Sequence, residues 1–130
     1  MGRGNDTAAR RNQAVGNYGE RHAARHLEGL GWRIVDRNWR CREGEVDIVA
    51  LDGACLVVCE VKTRRSEAFG STIEAVTPRK AARLRRLAGC WVQAHPGVVA
   101  GSTDLRVDVI GVLLPTRGSA EVTHVVGVGA

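Results

Sequence analysis

Two short segments of the sequence place charged side chains at a spacing that suits metal chemistry: Gly44-Glu45-Val46-Asp47 and Glu60-Val61-Lys62. Side chains two residues apart in a strand point to the same face of a sheet, so Glu60 and Lys62 are predicted to emerge side by side. An ammonium group beside carboxylates is a costly arrangement to build for packing alone. It suits phosphodiester hydrolysis, because hard oxygen ligands hold a divalent cation and that cation activates water.

The strands that carry these acids are predicted to form an antiparallel hairpin. Apolar runs indicate strands over residues 46–51 and 55–63, and Asp52-Gly53 between them is typical of a tight turn. The hairpin brings the start of its first strand beside the end of its second strand. Asp47 and Glu60 should therefore be near neighbours, at the point where a doubly buried strand emerges into a cleft.

A helix is predicted upstream of the hairpin, over residues 17–30, where apolar residues recur with a helical period. Glu20 lies three and four residues before Ala23 and Ala24, so it belongs to the apolar stripe that faces inward. Such an acid is either a further ligand for the cation or a carboxylate that interacts with the positive end of the helix dipole.

The candidate metal ligands are all oxygen atoms. They are the carboxylates of Asp47, Glu60 and Glu20, together with the main-chain carbonyl of Val61. Mg²⁺ and Mn²⁺ prefer such ligands, and the pattern does not choose between the two ions. Lys62 would orient the attacking water or stabilise negative charge on the pentavalent transition state. The predicted catalytic residues are therefore Glu20, Asp47, Glu60 and Lys62.

The remaining sequence predicts a second helix and two further strands. Thr77 as N-cap and Pro78 at the first helical position begin the helix, which ends near His95. Its polar face carries Arg79, Lys80, Arg83, Arg85 and Arg86. Such a face is either an ordinary solvated surface or, this close to a metal site, a surface for phosphate groups. Strands over residues 105–114 and 122–128 complete the order α-β-β-β-α-β(-β) of an α/β fold.

Three further residues receive structural or open interpretations. Asp108 faces Arg106 along its strand and is expected to pair with a base rather than bind metal. His124, a single histidine in the last strand, is expected to be structural. Trp39 lies among arginines, where it would either stack on a base or pack at the end of a strand.

The length and net charge of the chain limit the number of domains and the kinds of partner to be expected. The chain has 130 residues and a formal net charge of +5 at pH 7. Residues 1–15 are expected to be a disordered basic arm, followed by a single domain over residues 16–130. The positive charge either recruits an anionic partner, with nucleic acid ahead of a membrane surface, or simply keeps the chain soluble.

Targeting and redox signals point to the cytoplasm. The polar N-terminus has no apolar core of a signal peptide, and no apolar run is long enough to span a bilayer. The four cysteines show no disulfide spacing, which favours a reducing compartment. A cytoplasmic protein without a membrane partner is expected.

The ordered motifs resemble the PD-(D/E)xK nuclease superfamily, with Asp47 as the strand acid and Glu60-Val61-Lys62 as the E-x-K element. Glu20 on the preceding helix resembles the acid of archaeal Holliday-junction resolvases in that superfamily. More closely, the chain resembles the YraN-like family of small bacterial proteins, described as predicted endonucleases, over most of residues 16–114. The matching segments are Gly19-Glu20, Arg37-Asn38-Trp39-Arg40, Gly44–Asp47, Glu60–Arg64 and Glu74-Ala75-Val76, followed by Lys80.

The resemblance implies a restriction endonuclease-like fold, in which helices flank a mixed central sheet, and a metal-dependent nuclease site at the four predicted catalytic residues. The implied activity is hydrolysis of DNA phosphodiester bonds, with branched or single-stranded DNA as structure-selective substrates. The expected nucleic-acid contacts are Arg40, Arg64, Lys80 and Arg83. Structure-selective members of the superfamily often act as dimers, so a homodimer is one expected assembly.

The main alternative is a non-catalytic nucleic-acid-binding module with a nuclease-like fold, in which the basic helix would contact nucleic acid. Glu60 and Lys62 discriminate between the two hypotheses, because a protein that only binds has little reason to place them at a cleft. An enzyme acting on a small phosphorylated substrate is disfavoured, because the sequence has no phosphate-cradling glycine loop such as GxxxxGK[ST].

Overall fold

Two helices and five strands make up the fold in a computed structural model that describes residues 3–65, 76–98 and 104–128. In chain order they are α1 (Arg3–Gly29), β1 (Arg33–Cys41), β2 (Gly44–Asp52), β3 (Cys55–Arg64), α2 (Pro78–Ala94), β4 (Leu105–Leu113) and β5 (Glu121–Val125). The strands form one sheet whose spatial order follows the chain order. Strands β3 and β4 are parallel, and the other neighbours are antiparallel. The predicted α/β fold with a mixed sheet between helices is confirmed.

Each face of the sheet packs against one helix, which gives two separate hydrophobic cores. The core beneath α1 contains Ala23, Ala24, Leu27, Ile48, Ala50, Val57, Cys59, Ile110 and Val112. The core beneath α2 contains Val46, Val49, Leu56, Val58, Leu84, Leu87, Ala88, Trp91 and Val107. Strand β3 is buried on both faces from Leu56 to Cys59, as expected of a central strand, and its burial becomes partial at Glu60.

Local turn and cap signals place the hairpin and the start of α2. Gly53, between β2 and β3, has φ of 59°, in the left-handed region that glycine adopts without steric cost. The Thr77 hydroxyl accepts a hydrogen bond of 3.2 Å from the Lys80 N–H, and Pro78 opens the helix. Both observations confirm the elements predicted from these residues.

Helix α1 begins at Arg3, well before the start at residue 17 that the apolar period predicts. A period argument detects only the part of a helix that buries an apolar stripe. Residues 3–16 contain three Ala and three Arg residues, which are strong helix formers, so the sequence supports helix there without such a stripe. The division into a basic arm and a nuclease-like domain stays a prediction.

One segment of the matching family motifs falls partly outside the described residues. Glu74 and Ala75 lie in the range 66–75, which the structure does not describe. Neither of the helices in the described ranges is long and apolar enough to cross a bilayer.

A buried carboxylate, Asp108 on β4, ties the C-terminal part of the chain to the sheet. It accepts two hydrogen bonds from Arg106, at 2.9 and 3.1 Å, one of 2.8 Å from His124 and one of 2.9 Å from the Gly127 N–H. The other ring nitrogen of His124 lies 3.0 Å from His26 Nε2 on α1. The network joins α1, β4 and β5, and it gives Asp108 and His124 the structural roles predicted for them.

Asp108→Ala is expected to lower the free energy of unfolding by about 3–5 kcal/mol, because it leaves the His124 and Gly127 donors without their acceptor and leaves Arg106 with Asp52 as its remaining acidic partner. Urea denaturation at neutral pH measures the change. Asp104→Ala, at an exposed position near the start of the same strand, is the matched control and should change stability by less than about 0.5 kcal/mol. Equal stabilities of the two variants would contradict the structural role of the network.

Candidate active site

Strands β2 and β3 separate at the acidic end of the hairpin. Their main-chain ladder runs from Asp52 and Cys55 to Ile48 and Cys59 and ends there. At the next step of the ladder, the Val61 N–H donates to Asp47 Oδ2 over 2.7 Å. A side-chain oxygen therefore takes the position of a main-chain acceptor, and the backbone donor stays paired where the strands part.

The backbone of β1 and β2 is irregular around Asp47. In a regular strand Val46 and Ile48 would lie on one face, but Val46 packs beneath α2 together with Val49, whereas Ile48 packs beneath α1. Asn38, opposite Asp47 in the β1 register, has φ of 52°. Asn is one of the few non-glycine residues that adopt this conformation readily. The alternation of a regular strand therefore breaks in β2 at the acid itself.

Four carboxylates gather around this break, and they alter the protonation of Asp47. Burial is the main cause that raises the pKa of Asp47 to about 7, and the hydrogen bond from Val61 opposes the rise. The negative charges of Glu20, Glu45 and Glu60 raise the pKa further. The predicted proximity of Asp47 to Glu60 and Glu20 is thus present in the folded chain.

Glu20 is held at this site by β1. Burial raises its pKa, while a hydrogen bond from the Asn38 side chain and the positive charge of Arg37 lower it. Glu20 lines a cavity of about 330 Å³ together with Val61 and Thr63. The sequence analysis assigned no separate role to Asn38. The one sequence feature that could have pointed to it is its place, as a polar residue, in the segment Arg37-Asn38-Trp39-Arg40 that matches the YraN-like family.

The position of Glu20 depends on a close approach between α1 and β3 at Gly19. A Cβ atom built on Gly19 would lie 2.8 Å from Thr63 Cβ and closer still to Thr63 Oγ1. Real Cβ atoms do not reach such distances, so only glycine lets the helix pack this tightly. Gly19 thereby sets how far the next residue, Glu20, lies from the sheet.

Glu60 faces α2 and forms an ion pair with Lys80. Lys80 Nζ lies 3.3 Å from Glu60 Oε2, yet that buried oxygen has no partner with hydrogen-bond geometry among the described residues. Lys62 follows two residues later on β3 and is partly buried. From the sequence, Lys80 is equally suited to contact phosphate or to be solvated. In the structure it forms an ion pair with Glu60, a candidate metal ligand.

A compositional signal for these two lysines is present in the sequence. Of the 19 Lys and Arg residues in the chain, only Lys62 and Lys80 are lysines, and both lie beside Glu60. Arg presents a broad planar fork, whereas Lys presents a compact point charge. The two lysines therefore mark positions where a compact side-chain charge fits, in a chain whose other Lys or Arg residues are all arginines.

The residues at this site fit a divalent cation in chemistry rather than in preformed geometry. No group of three or more His, Cys, Asp or Glu side chains converges on one point in the described ranges. Asp47 is engaged by the Val61 N–H, Glu20 by Asn38 and Glu60 by Lys80. The donors are oxygen atoms, the Glu60 oxygen is buried without a hydrogen bond among the described residues, and the charges of three neighbouring acids add to the burial that raises the pKa of Asp47, all of which suit Mg²⁺ or Mn²⁺.

The other predicted basic residues border the site in different ways. Arg40 forms an exposed ion pair of 3.4 Å with Glu45. Arg83 lies over the start of β2, with its guanidinium 3.0 Å from a Cβ built on Gly44. Arg64 is the last residue of β3, the strand that also carries Glu60 and Lys62. Contacts of these residues with nucleic acid stay predictions.

A second polar cluster, which sequence reasoning missed, joins β1 to the end of α2. Asp36 accepts a hydrogen bond of 2.7 Å from Trp91 Nε1 and lies 3.6 Å from His95 Nε2. His95 stacks on Trp91, and Trp39 meets the His95 ring edge-on with centroids 5.9 Å apart. Trp39 also packs against the core beneath α2, which favours packing over base stacking for this residue.

Gly19→Ala is expected to lower the free energy of unfolding by about 1–3 kcal/mol, because the added methyl group forces α1 away from Thr63. Gly16→Ala is the matched control on the same helix: nothing lies within 4 Å of its Cβ, so helix propensity should stabilise the variant by up to about 1 kcal/mol. Thermal and urea unfolding measure both changes. A Gly19→Ala protein as stable as Gly16→Ala would contradict the close approach.

Asp47→Asn is expected to stabilise the metal-free protein at alkaline pH. The folded pKa of about 7 exceeds the ordinary value of 3.8, so folding binds a proton between these values and wild-type stability falls as the pH rises through them. At about 1.4 kcal/mol per pKa unit, the advantage of Asn reaches about 2–4 kcal/mol near pH 8 and shrinks towards pH 4. Asn keeps an oxygen that can accept from Val61.

Chemical denaturation in EDTA across this pH range measures that advantage. Asp104→Asn removes one exposed carboxylate and serves as the control. An Asp47→Asn protein less stable than wild type near pH 8 would show that the carboxylate is not held at an unfavourable charge.

Comparison with known proteins identifies relatives along nearly the whole chain. A family model described as uncharacterised protein family UPF0102 matches residues 19–112, a span that includes every predicted catalytic residue. A UPF0102 protein of Kineococcus radiotolerans is 60% identical over 119 residues, which cover 92% of this chain and 96% of the relative. UPF0102 proteins of Streptomyces coelicolor, 58% identical over 88% of each chain, and of a Nocardioides species, 54% identical over 94% of this chain and 96% of the relative, are similar in the same way. As the resemblance to small bacterial proteins of the YraN-like type led us to expect, the chain belongs to the UPF0102 family.

Proposed function

We propose that this protein is a divalent-metal-dependent endonuclease of the PD-(D/E)xK superfamily that hydrolyses DNA phosphodiester bonds. The observation that carries the proposal is the position of Asp47, whose carboxylate fills the gap between β2 and β3 among three further carboxylates. Their mutual repulsion contributes to a pKa of about 7 for Asp47. A bound cation relieves such repulsion, so this gap suits a divalent cation.

The ligands would be Asp47, Glu60 and the Val61 carbonyl, with Glu20 completing the set. The N–H and C=O groups of one residue in an extended strand point to the same side. Because the Val61 N–H points to Asp47, the Val61 carbonyl also faces the gap. A bound Mg²⁺ or Mn²⁺ would polarise the scissile phosphate and lower the pKa of its water.

Lys62 and Lys80 would supply the positive charge that phosphodiester hydrolysis needs at this acidic site. Lys62 would orient the attacking water or stabilise the negative charge that develops on the phosphate. Lys80, 3.3 Å from Glu60, would exchange this carboxylate for a phosphate oxygen once Glu60 serves as a ligand. Each task suits a compact ammonium group better than a planar guanidinium.

Charge around the site supports DNA as the substrate. The chain carries a net charge of +5, and the arginines at 79, 83, 85 and 86 are exposed on the α2 turn that holds Lys80 and the turns beyond it. Positive surface close to a hydrolytic centre would hold the phosphate backbone on either side of the cut. Branched or single-stranded DNA is the proposed substrate form, and a homodimer would allow both strands of a branch to be cut in one complex.

A cytoplasmic location is proposed with this activity. Cys41, Cys55, Cys59 and Cys90 are free thiols in the folded chain. Burial raises the pKa of the Cys59 thiol, so this residue behaves as a small apolar side chain of the core. Unpaired cysteines of this kind fit a reducing compartment.

The deciding experiment measures cleavage of labelled linear duplex, single strand, flap and four-way junction DNA with Mg²⁺, Mn²⁺ or EDTA. Wild type should cut at least one of these substrates only when metal is present. Lys62→Ala and Asp47→Asn should reduce the rate by about 100-fold or more, the usual cost of losing a group that stabilises transition-state charge. Thermal unfolding verifies that both variants are folded.

Arg33→Ala is the matched control, because it removes one exposed positive charge at the first residue of β1. Asn38 and the site lie towards the other end of that strand. Its cleavage rate should equal that of wild type. Cutting that survives Lys62→Ala would mean that a contaminating nuclease is responsible. Metal-independent DNA binding without cutting of any substrate would replace the proposal with a non-catalytic nucleic-acid-binding module.

A further inference from the structure

An open groove lies beside the cavity that contains Glu20. It has a volume of about 640 Å³, and residues of α1 form one wall while the chain just after β3 and β4 forms the other. Val15 and Arg65 line both the groove and the cavity of Glu20, Val61 and Thr63, so the two spaces adjoin. A molecule that occupied the groove would extend directly to the proposed hydrolytic centre.

The wall contributed by α1 combines an aromatic ring with positive charge. Tyr18 is 47% exposed, so part of its ring is accessible at the groove. The Arg21 guanidinium lies 5.6 Å from the centre of the Tyr18 ring, and His22 meets the ring edge-on at 4.6 Å. These contacts hold the ring in place, so a planar ligand would meet a preoriented surface.

Residues of the same character repeat along the exposed side of α1. Arg10, Ala14, Tyr18, Arg21 and Arg25 are spaced by three or four residues and are all exposed, so they form one stripe. The stripe carries three positive charges around one aromatic ring and no acid. It leads along the helix past the groove, which gives a charged path for a phosphate backbone.

The opposite wall of the groove is apolar at its base and basic at its rim. Leu114 and Pro115 follow β4 and contribute apolar surface, and Arg65 contributes a further exposed positive charge. An apolar floor between arginines suits a ligand that is aromatic at its centre and anionic at its edge. Its volume lies within the range of about 300–1,000 Å³ that holds small organic molecules, which includes a nucleotide.

We propose that this groove binds an unpaired segment of single-stranded DNA next to the scissile phosphate, with a base stacked on Tyr18 and phosphates on Arg21 and Arg65. The proposal rests on the proposed nuclease function, because it takes the site beyond Glu20 as the position of the cut. Base–aromatic stacking requires a base that is free of its complementary strand. Paired bases within a duplex cannot enter such a groove, so the arrangement selects flaps, single strands and opened junctions.

Binding of a short fluorescein-labelled oligothymidylate, followed by fluorescence anisotropy in EDTA, tests the groove without relying on cleavage. Tyr18→Ala should weaken binding by about tenfold, and Tyr18→Phe should stay within about twofold of wild type because the stacking surface is kept. Arg21→Ala should reduce the slope of log K against log salt by about one, as expected for a lost phosphate contact. Binding of a blunt duplex should be unchanged by the Tyr18 variants.

Leu30→Ala and Arg33→Ala are the matched controls, because they remove an exposed apolar side chain and an exposed positive charge away from the groove. Both should bind the oligonucleotide as wild type does. Wild-type affinity in Tyr18→Ala, or no binding of the oligothymidylate by wild type, would overturn the proposal.

The two proposals fail in distinguishable ways. Cleavage that is lost in Lys62→Ala but unaffected by Tyr18→Ala would keep the nuclease and overturn the groove. Oligothymidylate binding that depends on Tyr18, without cleavage of any substrate, would keep the groove and overturn the nuclease. If both hold, Tyr18→Ala should raise KM for a flap substrate about tenfold while kcat changes little, because Tyr18 would bind DNA remote from the reacting atoms.

Discussion

The hydrogen bond from the Val61 N–H to the Asp47 carboxylate is the interaction on which the site depends. A sheet cannot simply open in its middle, because each main-chain donor that loses its ladder partner would be buried unpaired. Here a side chain replaces the partner, so β2 and β3 separate beyond Ile48 and Cys59 at little cost in hydrogen bonding. The separation makes room for polar chemistry in the centre of the sheet, and it places an acid and a backbone carbonyl in that room.

Charge at the opening is arranged against the stability of the fold. Asp47 has three further carboxylates within electrostatic range, and burial raises the pKa of Asp47 and Glu20. Positive charge comes from Lys80 beside Glu60, from Arg40 beside Glu45 and from Arg37 near Glu20. A fold selected for stability alone would disperse such acids. The Asp108 network makes the contrast clear, since that carboxylate is fully buried and yet receives four hydrogen bonds and the positive charge of Arg106. Asp108 is compensated within the protein, whereas the pKa of Asp47 is raised to about 7 because burial and the neighbouring acids outweigh the hydrogen bond from Val61.

The parts of this structure that the sequence predicts are those encoded by neighbours along the chain. Asp52-Gly53 and Thr77-Pro78 encode a turn and a cap locally, and the hairpin register then brings Asp47 to Glu60. Asn38, Trp91 and Tyr18 depend instead on how helices approach the sheet, which no local spacing encodes. The same holds for Lys80, whose position on a helix face was predictable while its pairing with Glu60 was not. The length of α1 was not predicted because the sequence of its first turns carries no apolar residues at a helical period.

Helix α1 has a mechanical property that follows from its contact at Gly19. The helix spans 27 residues and, at about 1.5 Å per residue, is about 40 Å long, but it touches β3 most tightly at one residue near its middle. From that residue onwards, Ala23, Ala24 and Leu27 anchor the helix in the core against the sheet. Glu20 lies directly after the tight contact, at the start of this anchored half. The packing that holds the helix therefore also fixes the height of the acid above the sheet.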